Sequence, residues 1–87
     1  MNIKYHKIFE KQFKKLSEKS KKGVLGAIEK FIDNPISTSL KNHALKGSLL
    51  GKRAISTGPD FRIIFEEFND YTLVIFLDLG KHNRVYK

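Results

Sequence analysis

The fold of this chain is decided by the stretch FRIIFEEFNDYTLVIFLDL, residues 61–79. Its two halves, Phe61–Phe68 and residues 71–79, are rich in β-branched and aromatic residues, which favour strands. Asn69 and Asp70 separate them and favour a tight turn. The stretch therefore predicts a β-hairpin with a short loop. Because alternate residues of a strand face opposite sides, one face should pack on helices while the other stays partly solvated.

The segments before the hairpin change from strand to helix periodicity. Residues 2–6 alternate as a short strand, and from residue 7 onwards apolar side chains recur at helical spacing. The pattern predicts a first helix that ends near residues 17–20. A second helix should begin at the N-cap Ser20 and stop at Asn34 and Pro35, and the two should form an antiparallel hairpin.

The remaining segments complete an α+β pattern. Residues 36–42 are polar and predict a loop, residues 52–56 predict a strand, and Val85 with Tyr86 predicts a last short strand. A strand, two helices and a meander are typical of an α+β fold. At this length we expect residues 1–87 to form a single domain.

The charge of +8 is unevenly distributed along the chain. Residues 1–30 contain nine lysines and three glutamates, residues 31–80 carry a net −1, and the last seven residues carry +3. Such a balance favours a polyanionic target, but it suits an acidic protein partner equally well, or serves solubility alone.

The composition also narrows the chemistry and the compartment. Without cysteine, the chain has no disulfide, no cysteine zinc site and no thiol catalysis. No apolar run is long enough for a signal peptide or a membrane span, so we expect a cytoplasmic protein with no membrane partner. Scattered histidines without an HExxH-type spacing, and the lack of a Walker or GxGxxG motif, predict neither a metal nor a cofactor.

The C-terminal segment carries His82, Arg84 and Tyr86 within five positions. If residues 81–86 are extended, these side chains share one face; otherwise they form a polar surface tail. Cutting RNA requires a base for the 2′-hydroxyl, an acid for the leaving 5′-oxygen and cations for the phosphate charge. Histidine can fill either proton role near neutral pH, and arginine pairs with phosphate oxygens.

Two further candidates for proton transfer precede the hairpin. His43 is either a surface histidine or a proton carrier, and Asp60, after Gly58 and Pro59, is either a turn residue or an active carboxylate. Our hypothesis makes His82 the general acid and assigns the base to Asp60 together with His43.

Four residues are candidates for binding the substrate. Phe61 either stacks on a base or joins the core, and Arg62 either points to solvent or lines a cleft. Lys52 and Arg53 either bind phosphate or solvate a sheet edge. The sequence alone leaves each pair of alternatives open.

Three short motifs occur in a characteristic order: His-x-Leu-x-Gly-x-x-x-Gly-x-Arg at 43–53, Pro-Asp-Phe-Arg at 59–62 and Leu-Gly-x-His-x-x-x-Tyr at 79–86. In this order and spacing the chain resembles the RelE/ParE superfamily of bacterial toxins, and within it the YafQ-like branch. The resemblance implies two helices packed on a small, mainly antiparallel sheet.

The resemblance also implies an activity. YafQ-like toxins are ribosome-dependent endoribonucleases that cleave mRNA in the A site without a metal. Their catalytic histidines match His43 and His82, their aspartate matches Asp60, and their C-terminal aromatic residue matches Tyr86. Another family histidine falls on Ser56, which cannot take over its proton. The RelE branch instead uses basic residues and a terminal tyrosine, which Arg62 and Tyr86 match, and its later arginine falls on His82.

The same resemblance implies partners and leaves two alternatives. The expected partners are a cognate acidic antitoxin, the ribosome with mRNA, and operator DNA only through the antitoxin complex. Phosphate contacts would come from Lys52, Arg53, Arg62 and Arg84, with Phe61 beside them. The alternatives are a ParE-like inhibitor of DNA gyrase and a catalytically inert member that only binds an antitoxin.

Overall fold

The structure, a computed structural model, describes residues 1–85 except for the side chains of residues 83 and 84. Strands β1 to β5 are Asn2–Tyr5, His43–Ala44, Arg53–Ser56, Phe61–Phe68 and Leu73–Lys81, and helices α1 to α3 are Lys7–Lys14, Glu18–Asp33 and His82–Val85. Short 3₁₀ turns occur at Thr38–Leu40 and Gly47–Leu49. No helix within residues 1–85 is long and apolar enough to cross a membrane.

The five strands form one sheet in the order β1-β5-β4-β3-β2. Strand β1 pairs with β5 in parallel, and the other neighbouring pairs are antiparallel. Together with the helices this confirms the α+β fold with a mainly antiparallel sheet. The sheet places β2 at one edge and the long β4–β5 hairpin at its centre.

The boundary between α1 and α2 differs from the prediction. The first helix ends at Lys14, and Ser17, not Ser20, caps the second helix, which begins at Glu18. The Ser17 hydroxyl accepts a hydrogen bond from the Ser20 backbone N–H at 3.1 Å. The predicted N-cap at Ser20 was wrong because Ser17 already satisfies this N–H, which has no carbonyl partner in the first turn.

The main core lies between the helices and one face of the sheet. Helix α2 buries Val24, Ala27, Ile28 and Phe31. The Phe31 ring meets the rings of Phe65 and Phe76 edge to face, with centroids 5.1 and 5.6 Å apart. Such aromatic pairs stabilise by about 1 kcal/mol each beyond the burial of their area. They anchor α2 against the central hairpin.

The hairpin turn and the C-terminus contain the other departures. Strand β4 has the predicted bounds, but β5 begins at Leu73, because Asn69, Asp70 and Tyr71 all adopt positive φ angles of 53, 53 and 65°. The predicted strand at Val85 is wrong, since residues 82–85 form a helical turn whose Val85 packs on Ile64 in a second, smaller cluster. Tyr86 lies outside the described residues.

Candidate active site

The sheet face turned away from α1 and α2, here called the open face, carries several of the candidate residues. Ile55 and Ile63 belong to the main core on the helix side. Their neighbours Ser56 and Arg62 stand opposite each other and therefore project from the open face. His43 stands opposite Ala54, which belongs to the smaller cluster on the open face. The sheet register thus places His43, Ser56 and Arg62 on one surface.

Asp60 and His82 meet at one end of the hairpin. The backbone N–H of His82 donates to the carbonyl oxygen of Asp60 at 3.1 Å. Arg62 follows Asp60 by two positions and stands opposite Gly80, two positions before His82. A carboxylate, an imidazole and a guanidinium are therefore neighbours, and both Asp60 and His82 are exposed. We call Asp60, Arg62 and His82 the hairpin cluster.

Hydrogen bonds hold the arginine of this cluster in place. A terminal nitrogen of the Arg62 guanidinium donates to the carbonyl oxygens of Gly58 and Phe61 at 3.3 and 2.9 Å. The Ser56 hydroxyl donates to the same Gly58 carbonyl at 2.9 Å. Since a guanidinium has five N–H donors, Arg62 can brace the turn and still bind a phosphate. Ser56, which stands where the resemblance implies a histidine, thus supports the turn.

His43 lies at the opposite edge of the open face. Its Nδ1 is 2.8 Å from the carbonyl oxygen of Lys41. Because a carbonyl oxygen only accepts, Nδ1 is the donor, and in the neutral ring Nε2 is then the accepting nitrogen. Strand β2 is two strand spacings from β4, which follows Asp60, and three from β5, which precedes His82. Across the sheet His43 is therefore about 10 Å from β4 and about 14 Å from β5. The structure thus places Asp60 beside His82 and not beside His43.

Arg53 is not brought together with the other candidates. It stands opposite Phe65, a residue of the main core, and so faces the helix side. Its Nε donates to the Asn42 side-chain oxygen at 2.9 Å, while the Asn42 amide nitrogen donates to the Tyr71 hydroxyl at 2.9 Å and to the Pro35 carbonyl at 3.0 Å. This Asn42–Arg53–Tyr71 network ties the segment that carries His43 to the core.

The remaining candidates divide between the two faces. Phe61 packs against the main core, so it is not available as a stacking platform on the open face. Lys52 is half-buried and lines an open-face cleft of about 260 Å³. The prediction that His82, Arg84 and Tyr86 share one face required an extended segment. Residues 82–85 are helical, so this condition is not met. The Arg84 side chain and Tyr86 lie outside the described parts.

The sequence reasoning missed Asp78. This half-buried carboxylate stands opposite Ile64 and lines the same cleft as Lys52 and His6. An aspartate that interrupts an otherwise apolar strand was the available signal. His6 has a structural role, because its Nδ1 accepts from the Ile8 backbone N–H at 3.1 Å and caps α1. Across residues 1–85 no three His, Cys, Asp or Glu side chains are grouped to hold a metal ion.

Solved structures with the same fold are bacterial and archaeal toxins. YafQ from E. coli BL21(DE3) superposes with a TM-score of 0.70 at 22% identity, covering 99% of this chain and 98% of that chain. A YoeB/ParE toxin from Agrobacterium tumefaciens gives 0.77 at 12% identity, covering 94% and 99%. An archaeal RelE–RelB complex from Pyrococcus horikoshii gives 0.76 at 20% identity, covering 95% and 96%. The chain therefore shares its fold with these toxins.

Sequence comparison makes the assignment more specific. Among curated protein sequences none matches the chain significantly. A family model described as the bacterial toxin of the type II toxin–antitoxin system, YafQ, matches residues 1–87. The chain belongs to the YafQ family of type II toxins.

Proposed function

We propose that this toxin is a ribosome-dependent endoribonuclease that cleaves mRNA in the A site by acid/base catalysis on the open face. The observation that supports this most directly is the hairpin cluster, in which Asp60, Arg62 and His82 occupy one exposed end of the sheet. These three residues offer a proton acceptor, a phosphate ligand and a proton donor. RelE- and YafQ-type toxins act as ribonucleases, which agrees with this chemistry.

The proposed reaction proceeds by attack of the 2′-hydroxyl on the adjacent phosphorus. The Asp60 carboxylate takes the 2′-hydroxyl proton as the new O–P bond forms. The bond from phosphorus to the 5′-oxygen breaks, and the His82 imidazolium protonates that oxygen. Arg62 stabilises the charge that develops on the phosphate oxygens. The products are a 2′,3′-cyclic phosphate and a free 5′-hydroxyl.

His43 has a different task in this proposal. Because it lies at the β2 edge, it is too far from Asp60 to share one proton with it. His43 and Lys52 project from the same face as Arg62, and both can contact an RNA strand that crosses the sheet. We therefore assign the proton transfers to the hairpin cluster and RNA positioning to the β2 edge. The roles of Arg84 and Tyr86 remain those implied by the family motif.

An acidic antitoxin is the proposed protein partner. The related E. coli DinJ–YafQ and archaeal RelE–RelB structures are toxin–antitoxin complexes. The net charge of +8 on this chain favours an acidic partner through electrostatic complementarity. Operator DNA would be bound through the antitoxin part of the complex. The toxin would act in the cytoplasm, where ribosomes and mRNA meet.

Primer extension on a defined mRNA in a purified translation system tests the proposal. We expect discrete cuts at A-site codons that require ribosomes, disappear with His82→Ala and persist with Glu29→Gln, an exposed change on α2. Intact mRNA with continued translation would overturn the proposal. A DNA supercoiling assay would then separate a gyrase inhibitor from an inert antitoxin-binding member.

A further inference from the structure

A basic surface begins beside the hairpin cluster and continues along helix α2. Two adjoining clefts, of about 440 and 410 Å³, lie between α2 and the loop that joins β3 to β4. They share Gly23, Thr57 and Gly58, and the second also reaches Asp60. We call this continuous depression the α2 groove. It leads from the proposed catalytic end of the sheet to the helix side of the molecule.

Lysines line the groove on its helix side. Lys19 lines the part near Asp60, and Lys22 and Lys30 line the part farther away. All three lysines are exposed. Lys22 and Lys30 are eight residues apart on one helix, so they repeat positive charge about 12 Å apart along the axis. A repeated charge of this kind matches a polyanionic chain better than a single small anion.

Two glycines keep the floor of the groove open. Glycine in a helix interior costs about 1 kcal/mol relative to alanine, so each needs a reason. At Gly23 a Cβ atom would come into van der Waals contact with the Thr57 carbonyl oxygen at 3.4 Å, so α2 lies close to the β3–β4 loop there. At Gly26 a Cβ would meet no atom within 4 Å, so packing does not require glycine there. Gly26 lies midway between Lys22 and Lys30 on one helix face, and its missing side chain leaves that face bare.

The composition of the groove favours a nucleic-acid backbone over a protein segment. Besides the lysines and Asp60, the groove has hydroxyl side chains at Ser20, Ser39, Ser56 and Thr57, and its apolar lining is limited to Ala27, Leu40, Pro59 and Phe61. A different cleft, between α1 and α2, is lined by Tyr5, Phe9, Phe13, Leu25 and Ile28 and has the apolar character that a protein helix needs. Phosphates and riboses require cations and hydroxyl groups in a surface they can approach closely.

We propose that the α2 groove holds the sugar–phosphate backbone of RNA where the strand leaves the hairpin cluster. Lys19, Lys22 and Lys30 contact phosphates along the strand, and Gly26 allows the backbone to approach the helix. The choice of RNA rests on the proposed ribonuclease function. The groove would thus extend the substrate contact around the end of the sheet from the open face to the helix side.

Binding of an uncleavable RNA tests this proposal separately from catalysis. The probe is a fluorescent single-stranded RNA of mixed sequence with 2′-O-methyl groups, followed by anisotropy over a series of KCl concentrations. The groove double variant is Lys22→Gln with Lys30→Gln, and the matched control is Lys7→Gln with Lys11→Gln on α1, which removes the same charge from exposed positions. A third variant, Gly26→Leu, fills the groove without changing the charge.

We expect the groove double variant to bind about tenfold more weakly than the control and to lower the salt slope by about 1.4, as for two lost phosphate contacts on a single strand. Gly26→Leu should weaken binding at least about threefold with the charge intact, and circular dichroism should show a folded helix. Glu29→Gln should bind the probe like the wild type, and the 2′-O-methyl probe reports binding alone because it has no 2′-hydroxyl to attack the phosphorus. A protein that does not cleave RNA could then still bind the probe through the groove. A protein whose groove does not bind the probe could still cleave RNA.

Four outcomes would overturn the proposal. Equal weakening by the groove and control doubles would show that only net charge matters. Wild-type binding by Gly26→Leu, or no binding of the probe by the unmodified protein, would show that the groove holds no RNA. Loss of antitoxin binding by the groove double with RNA binding unchanged would make the groove a protein interface.

Discussion

The two ends of the open face carry similar groups but are built in different ways. At the hairpin end, Asp60 and His82 are joined by a backbone hydrogen bond between adjoining strands, and Arg62 bonds to carbonyls within four residues of itself. At the β2 edge, His43 belongs to a strand of two residues. That edge depends on the bonds of Asn42 to Arg53 and Tyr71, which are 11 and 29 residues away.

This contrast indicates which end can hold its functional groups in place without side chains from other parts of the fold. A main-chain hydrogen bond and the bonds of Arg62 to nearby carbonyls hold the hairpin end as soon as β4 and β5 pair, so its groups keep their relative positions. A two-residue edge strand has few ladder bonds of its own and relies on side chains from elsewhere. We therefore expect the hairpin end to determine the rate and the β2 edge to respond to substrate and to tertiary stability. Four experiments test this difference.

The largest expected effect comes from comparing the two histidines. His82→Ala should reduce the cleavage rate about 10²–10⁴-fold, because it removes the proposed general acid. His43→Ala should reduce it clearly less and act mainly on apparent substrate affinity. Rates measured on ribosome-bound mRNA over a range of toxin concentrations check both. A loss under threefold for His82→Ala, or a larger loss for His43→Ala, would reverse our assignment.

Arg62 should show the next largest effect. Arg62→Gln should lower the cleavage rate about 10²-fold, since a charged donor to the transition-state phosphate is lost. Arg62→Lys keeps the charge but not the fork geometry, and it should fall between this variant and the wild type. Single-turnover cleavage gives the rates, and thermal melting shows whether the turn at Gly58 remains intact. Equal rates for all three proteins would remove Arg62 from the mechanism.

The network at the β2 edge should contribute to the free energy of unfolding. Asn42→Ala leaves Arg53 and the Tyr71 hydroxyl without their partner and should lower the free energy of unfolding by about 1–3 kcal/mol. Urea denaturation measures this loss. The exposed neighbour Lys41 is unsuitable as a control because its φ is 53°, so Ser39→Ala serves instead. If Asn42→Ala is as stable as Ser39→Ala, the network does not hold the edge.

The smallest effect is expected at Ser56. Ser56→His introduces the family histidine on the open face opposite Arg62, where its ring would adjoin the hairpin cluster. We expect a gain in cleavage of less than about tenfold, because the added proton carrier is offset by loss of the Ser56 bond to Gly58. The same single-turnover assay detects it. A large loss of activity would mean that the serine is needed to shape the turn.

Several features could be predicted from the sequence because their causes are local. The period-two pattern of residues 61–68 led to the bounds of β4, and Pro35 marked the end of α2 near Asp33. The N-cap of α2 was misplaced because Ser17 and Ser20 both suit that position, and only the hydrogen bond between them decides which one caps the helix. The helical turn at 82–85 was missed because Val85 is held by Leu45 and Ile64, which are distant in sequence.

The sequence by itself determined the α+β pattern, the basic charge, the family motifs and the types of groups available for chemistry. It did so because strand and helix periods, turn residues and charge depend on near neighbours. Only the tertiary structure decided which groups meet. It joined Asp60 to His82, moved Arg53 to the helix side and placed the α2 groove beside the hairpin cluster. The physical reason is that sheet register and side-chain facing are decided by the burial of distant residues against one another.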